Sequence, residues 1–455
     1  IKMINRNNKK GFTIVELVIV IAVIAILAAV LIPTFAGIIR KANISADTQL
    51  AKNLNEALAA DEAINGKPAN FSEVLVVFRE NGYIVANLNP TAAGCYFVWE
   101  SETNQIILLD AKKGYEVIYA SKELTNKTPG ETWYFAVSNE EDIATLESES
   151  FGSNIKILYA PKTADELTDA LQKVYDEGGK QSLVISADIA LTNDNFMLSR
   201  PDAEIALDLG GNVATLPVGI SNTVSADYLT EGGAKTSDFN TLTSQNGVLN
   251  ISNGTIMPGT NVKYGVAAIE KGTVNISNAK IVLDHTGAAL RVLGKDAEIN
   301  VSDTTLELTE AVGIEVGSGN ATFDDVTVSV TANSYELAAC VAASRAGTLT
   351  VEDGTYAAKG SKAHAVALYT TSGTININGG KFTSENGKVF AIWESTAGVT
   401  HKINIKAGTF AGKAFSDFKT VEDWKTIFDG TGASYINENT MKKNADGSWT
   451  LTIAY

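Results

Sequence analysis

The sequence predicts a long N-terminal α-helix with a small α+β head, followed by an all-β solenoid of parallel strands. Three observations carry that expectation. An apolar run from Phe12 to Ile39 covers 28 residues with a single charge. Short segments rich in β-branched and aromatic residues follow it, at Cys95–Glu100, Gln105–Asp110 and Glu116–Ala120. From Gly247 on, a ten-residue theme recurs at intervals of 22 to 28 residues, the period of a coil holding two or three strands.

Composition narrows the classes. A chain of 455 residues exceeds one ordinary domain. Hydrophobic residues at 45% and charged residues at 19% suit a folded body and not a disordered one. The net charge is -16, and the basic Lys2, Arg6, Lys9 and Lys10 all precede Gly11; without them it falls to -20. Such a body repels phosphates, so no nucleic acid partner is expected. Cys95 and Cys340 lie far apart with no CxxC spacing, which points to free buried thiols. His285, His364 and His401 have no partner at ligand spacing, so neither a metal nor a cofactor is expected.

The apolar run exceeds the roughly 20 residues that cross a bilayer as a helix. The basic residues ahead of it place the N-terminus in the cytoplasm. No A-x-A-like site follows it, so any cut falls before the apolar segment. Glu16 is a carboxylate at the start of that helix, a placement that costs about 2.5–3.5 kcal/mol on insertion scales. Either it reaches water at the interface, or it meets a positive partner inside an assembly.

Lys9-Lys10-Gly11 followed by Phe12-Thr13-Ile14-Val15-Glu16 resembles the N-terminal methylation motif of the type IV prepilin and pseudopilin family. The resemblance implies that a prepilin peptidase cuts between Gly11 and Phe12 and methylates the new Phe12 amine. It also implies that Glu16 neutralises the Phe12 amine of a neighbouring subunit. Pro33 fits the family as the residue that breaks the helix ladder and permits melting on assembly. The implied partners are the peptidase, other pilin subunits through this helix, and the cytoplasmic membrane, crossed once before the chain joins a surface filament. Ile1 in front of Lys2 and Met3 is consistent with translation starting at Met3.

Past the membrane the helix is expected to continue, with Leu50, Leu54, Ala57 and Ile64 as an apolar stripe. Gly66, Lys67 and Pro68 stop it. The stripe should pack on the sheet formed by the three candidate strands, an arrangement that resembles a pilin head. The expected division is a leader at 1–11, a membrane and assembly helix at 12–66, a head at 67–125 and a connector at 126–160. A solenoid fills 161–455. Thr163 and Glu166 form a capping box, Leu167, Leu171 and Val174 an apolar face, and Gly178 a stop, so a helix caps the solenoid. A hairpin turning after Asp446 closes the other end.

The repeated themes start at Gly247, Gly272, Ala297, Gly319, Gly347, Gly373 and His401. Each alternates apolar and polar residues, so apolar side chains point inward while Asn, Asp, Gly and Thr take the turns and outer face. The body resembles the right-handed parallel β-helix of pectate-lyase-like proteins. Asn250, Asn275 and Asn300 recur at one repeat position and are expected to stack as a ladder. Asp324–Asp325 is the adjacent acidic pair within a repeat; its position matches turns such as Asn253–Gly254. Arg291 and Arg345 are expected to be surface charges. Trp393, Tyr369 and Phe390 either line a sugar-binding face or cover the core. No catalytic constellation emerges. The leading expectation is a minor or tip filament subunit presenting the β-helix to surface glycans or a host ligand. A membrane-anchored carbohydrate-active enzyme and a pseudopilin of a secretion or DNA-uptake system are the alternatives.

Overall fold

The computed structural model describes residues 14–68, 71–83, 90–124, 129–130, 132–137, 146, 156–185, 187–190, 196–198, 200–216, 239–259, 263–369, 371–393 and 397–455. They fall into two compact units. One comprises Ile1–Lys67 with Leu88–Phe135, the other Pro68–Asn87 with Ala136–Tyr455.

The first unit is built on a single helix, Ile14–Asn65, of 52 residues. It continues through Pro33, so the proline removes one ladder hydrogen bond without ending the element. Gly66, at φ 88°, ends the helix. Its C-terminal half packs on an antiparallel sheet ordered Trp133–Val137, Cys95–Glu100, Gln105–Asp110, Glu116–Tyr119. The three expected strands are all present; the fourth, Trp133–Val137, comes from the stretch read as a connector. The turn between the first two strands is held by Glu100, whose carboxylate accepts from the N–H groups of Glu102 and Thr103 at 2.9 and 2.8 Å.

The buried helix face is Asp47, Ala51, Leu54, Asn55, Ala57 and Leu58. Two of these are polar and fully used. Asp47 accepts from the N–H groups of Thr91 and Ala92 at 2.8 and 2.9 Å. Asn55 donates to the Ile106 carbonyl at 2.8 Å and accepts from its N–H at 2.7 Å. Ile64, expected on the apolar stripe, is instead 82% exposed. Six residues beyond Leu58, it has rotated off the packed face.

The second unit contains a β-solenoid of about eight turns. Each full coil lays strands on three parallel sheets. The first sheet stacks, among others, Ala203–Asp208, Glu298–Ser302, Asn320–Asp324, Thr348–Val351, Gly373–Ile377 and Thr400–Ile405. Val248–Pro258 and Thr273–Leu283 are long enough to bend from the first sheet into the second. The third sheet has eight strands, from Phe196–Leu198 to Phe390–Ile392. Parallel registration places like on like: Leu249, Val274, Ile299, Ala321, Leu349, Ile375 and Ile403 form one interior column, which Leu451 extends from an antiparallel final strand. All are buried. One coil cannot cover its own inner face, and the next coil does.

Turns between the first and second sheets use Asn253, Asn278, Asp303 and Asp325, at φ 62°, 47°, 46° and 50°. Short polar side chains tolerate this left-handed region best after glycine. At one end lies the helix Ala164–Glu177. Thr163 accepts from Glu166 N–H at 3.2 Å, while the Glu166 carboxylate reaches back to Lys162 N–H at 2.8 Å. Leu167, Ala170, Leu171 and Val174 are its buried face. At the other end Trp449–Ala454 pairs antiparallel with Thr400–Ile405 and forms a hairpin with Met441–Lys443. An antiparallel final strand ends the stack and denies a parallel edge to other chains. Near this end the rings of Tyr356, Phe382 and Phe410 stack inside the coil at 4.7 and 5.2 Å.

Candidate functional site

The N-terminal half of the long helix carries the first candidate site. Gly11 and Phe12 lie outside the described residues. Glu16 stands exposed in the first helical turn. From Ile14 to Ile39 the large apolar side chains with described surroundings are exposed as well, Ile14 at 82% and Ile39 at 58%. This is the one helix among the described residues long and apolar enough to cross a membrane. Such a surface is satisfied by lipid or by other helices, not by water.

The change of surroundings comes at Arg40. Its guanidinium donates to the buried Asp110 carboxylate at 2.8 Å, with the Cys95 sulfur 3.9 Å away. Cys95 and Cys340 are both free and buried. Burial pushes both thiols up, Cys340 further, so neither is poised as a nucleophile.

On the solenoid, the sequence-selected residues scatter. Asp324 ends a strand of the first sheet and Asp325 sits in the turn after it, as expected for a turn pair. Arg345 is also a left-handed turn residue, its N–H donating to Thr371 Oγ1 at 2.8 Å. His285 lies beside Asp284 at 3.2 Å. His364 and His401 are buried, and burial lowers both imidazole pKa values, that of His401 to about 4. Among the described residues no group of three His, Cys, Asp or Glu side chains converges as a metal site. Phe390 belongs to the core, stacked on Phe428 at 4.7 Å.

Arg291 corrects the sequence expectation. It is 2% exposed, not a surface charge. Its register partner on the next coil is Glu315, and the two form an ion pair. Burial works against the guanidinium charge, but Glu315 more than offsets it and the pKa is raised. The guanidinium also lies over the Tyr264 ring at 5.2 Å. Tyr369 belongs to the same cluster, and Trp393 packs against it, 5.2 Å from the Tyr369 ring. A sequence signal for this pair existed. One charged residue interrupts each of two apolar strands, and the two fall at the same repeat position with opposite sign.

The ladder is present as expected. Asn275 donates to Asn250 at 2.7 Å and Asn300 to Asn275 at 3.1 Å. The column continues through Thr322 and Thr350 to Asn376 and Asn404, where Asn404 donates to Asn376 at 2.7 Å. It ends at Thr450, which donates to Asn404 at 3.1 Å. A second ladder in the turns joins Asn278 to Asn253 at 2.9 Å and Asn253 to Asp208 at 2.9 Å.

Comparison with known proteins bears on the N-terminal site. Residues 6–32 match the prokaryotic N-terminal methylation motif. Over 55 residues, 12% of this chain and 40% of the other, the sequence is 53% identical to a type IV wide pilus major component of Thermus thermophilus. Over 87 residues, 19% of this chain and 46% of the other, it is 41% identical to a fimbrial protein of Moraxella nonliquefaciens. The chain thus spans less than half the length of these relatives. No solved structure matches it. A methylation motif with type IV pilin homologues and a C-terminal β-solenoid therefore occur in one chain.

Proposed function

We propose that this chain is a type IV pilin-like subunit of a surface filament, in a minor or tip position, presenting its solenoid for adhesion or ligand binding. The observation that carries the proposal is the fusion itself. A methylation motif and an apolar helix with no covering in its own chain precede a solenoid that occupies most of the remaining sequence. In this reading a prepilin peptidase cleaves after Gly11, the amine of Phe12 is methylated, and Glu16 meets the Phe12 amine of a neighbour. The helix first crosses the cytoplasmic membrane and then packs among other pilin helices. A body this large at every position would crowd a helical filament, which favours rare or terminal placement. We also infer that the solenoid binds without catalysis, since its acidic pair lies in a turn and its buried Arg291 is paired with Glu315.

Protein sheared from native cells should begin at methylated Phe12 by N-terminal mass. Gold-tagged antibody should label filament ends. An uncleaved leader retained with the membrane would sink the filament role, and even labelling along filaments would sink the tip role. Product release from pectins or other glycans would sink the non-catalytic one.

A further inference from the structure

An open cleft of about 320 Å³ lies on the third-sheet side of the solenoid, bounded by Lys263, Tyr264, Glu315, Tyr335, Leu337 and Tyr369. That is the lower end of ligand-cleft volumes, room for one small ring system. Three tyrosines give it apolar faces with polar edges. The loop that brings Tyr335 and Leu337 is fixed by one side chain: the Glu310 carboxylate accepts from the N–H groups of Asn333, Ser334 and Tyr335 at 2.9, 3.1 and 2.6 Å. These bonds hold Glu310 below the usual carboxylate range. Tyr369 is fixed in turn, its hydroxyl donating to the Leu337 carbonyl at 2.5 Å. The lining is thus pre-organised, which lowers the entropy cost of binding.

The charges decide the ligand class. Glu315 is matched by the buried Arg291. Tyr264 already carries the Arg291 guanidinium at 5.2 Å and the Lys263 ammonium at 5.3 Å from its ring. A cationic ligand would meet those two positive groups. An anionic one would meet Glu315, the carboxylate in the lining. A purely apolar ligand would strip water from Glu315 and Lys263 and return no hydrogen bond. A neutral ring with one apolar face and several hydroxyls satisfies all of these constraints.

We propose that this cleft binds one neutral pyranose unit of a glycan, stacked on Tyr335 and hydrogen-bonded by Glu315 and Lys263. The inference rests on the reading of the solenoid as a ligand-presenting module. The test uses the full chain in detergent micelles. Methyl glycosides of neutral hexoses and N-acetylhexosamines are compared with glucuronate and choline by titration calorimetry and saturation-transfer NMR. At least one neutral glycoside should bind, with saturation passing from tyrosine ring protons to the sugar. Tyr335→Ala should weaken it about tenfold or more. Glu310→Ala should weaken it through loss of loop order, with increased exchange of the Asn333–Tyr335 amides. Preference for glucuronate or choline, no binding by any neutral glycoside, or affinity unchanged in a folded Tyr335→Ala protein would overturn the proposal. If Tyr335→Ala fails to fold, the saturation transfer in the unmodified protein decides it alone. Filament labelling on cells carrying Tyr335→Ala separates the two readings: labelled filaments with glycoside binding lost leave the filament role standing, whereas failure of the cleft in unmodified protein overturns only the glycan proposal.

Discussion

The two units bury polar groups by opposite strategies. In the helix-and-sheet unit the buried polar side chains hold groups of their own and form no column of like residues. Asp47 holds two amides, Asn55 completes one residue of a strand, and Asp110 receives Arg40. In the solenoid the same chemistry is distributed along columns, as in the ladder from Asn250 to Thr450. The difference teaches where single changes are felt. A repeat shares its interactions among coils, so its stability is close to a sum over neighbours. A non-repeating unit concentrates them.

The largest expected effect comes from an exception inside the solenoid. His401 is fully buried on the final coil and has no column of like residues; desolvation lowers its pKa from 6.5 to about 4. The unfolded chain therefore takes up this proton first as pH falls, and stability is lost between about pH 6.5 and pH 4, while above that window it is retained. The full difference is about 3 kcal/mol. His364 shifts in the same direction and adds to the trend. Hydrogen-exchange protection across the Thr400–Ile405 strand, taken relative to the intrinsic exchange rate at each pH, should fall at the acid end of the window. In His401→Gln the acid dependence should shrink; an undiminished dependence would place it elsewhere.

How much of this was legible follows the same division. The solenoid could be read because its pattern is repeated: the themes from Gly247 to His401 fix strands, turns and ladder in register. The methylation motif is legible because it is contiguous. The first unit was only half readable. Its strands carry local propensity, but Asp47 and Asn55 on the packed helix face defeat a search for apolar stripes, and Ile64 misleads it. The strand Trp133–Val137 is not legible because its pairing with Cys95–Glu100, not a local pattern, selects it. In the second unit the helix Phe71–Glu80 does carry a pattern, Phe71, Val74, Leu75 and Phe78 at helical spacing, that the reading passed over. The cleft drew on residues of several coils, which no local motif joins. Its clue was an irregularity: 28 residues separate Gly319 from Gly347 where 22 precede them, and the longer coil holds the loop with Tyr335.

The sharpest test of the comparison removes the same residue type from each unit. Asn55→Ala leaves the Ile106 N–H and carbonyl without their partner at a site where Asn55 itself is only 8% exposed. Unsatisfied buried groups cost about 1–3 kcal/mol each, so a loss of about 2–4 kcal/mol is expected. Asn275→Ala removes one rung of the ladder, but its neighbours Asn250 and Asn300 are half-buried and water can reach them. That change should cost about 1 kcal/mol or less. Native-state hydrogen exchange reads each locally, at the Ile106 amide and at the amides of Thr273–Leu283. A larger cost for Asn275→Ala than for Asn55→Ala would mean that the ladder acts as one cooperative unit, and the column would then concentrate stability as the first unit does.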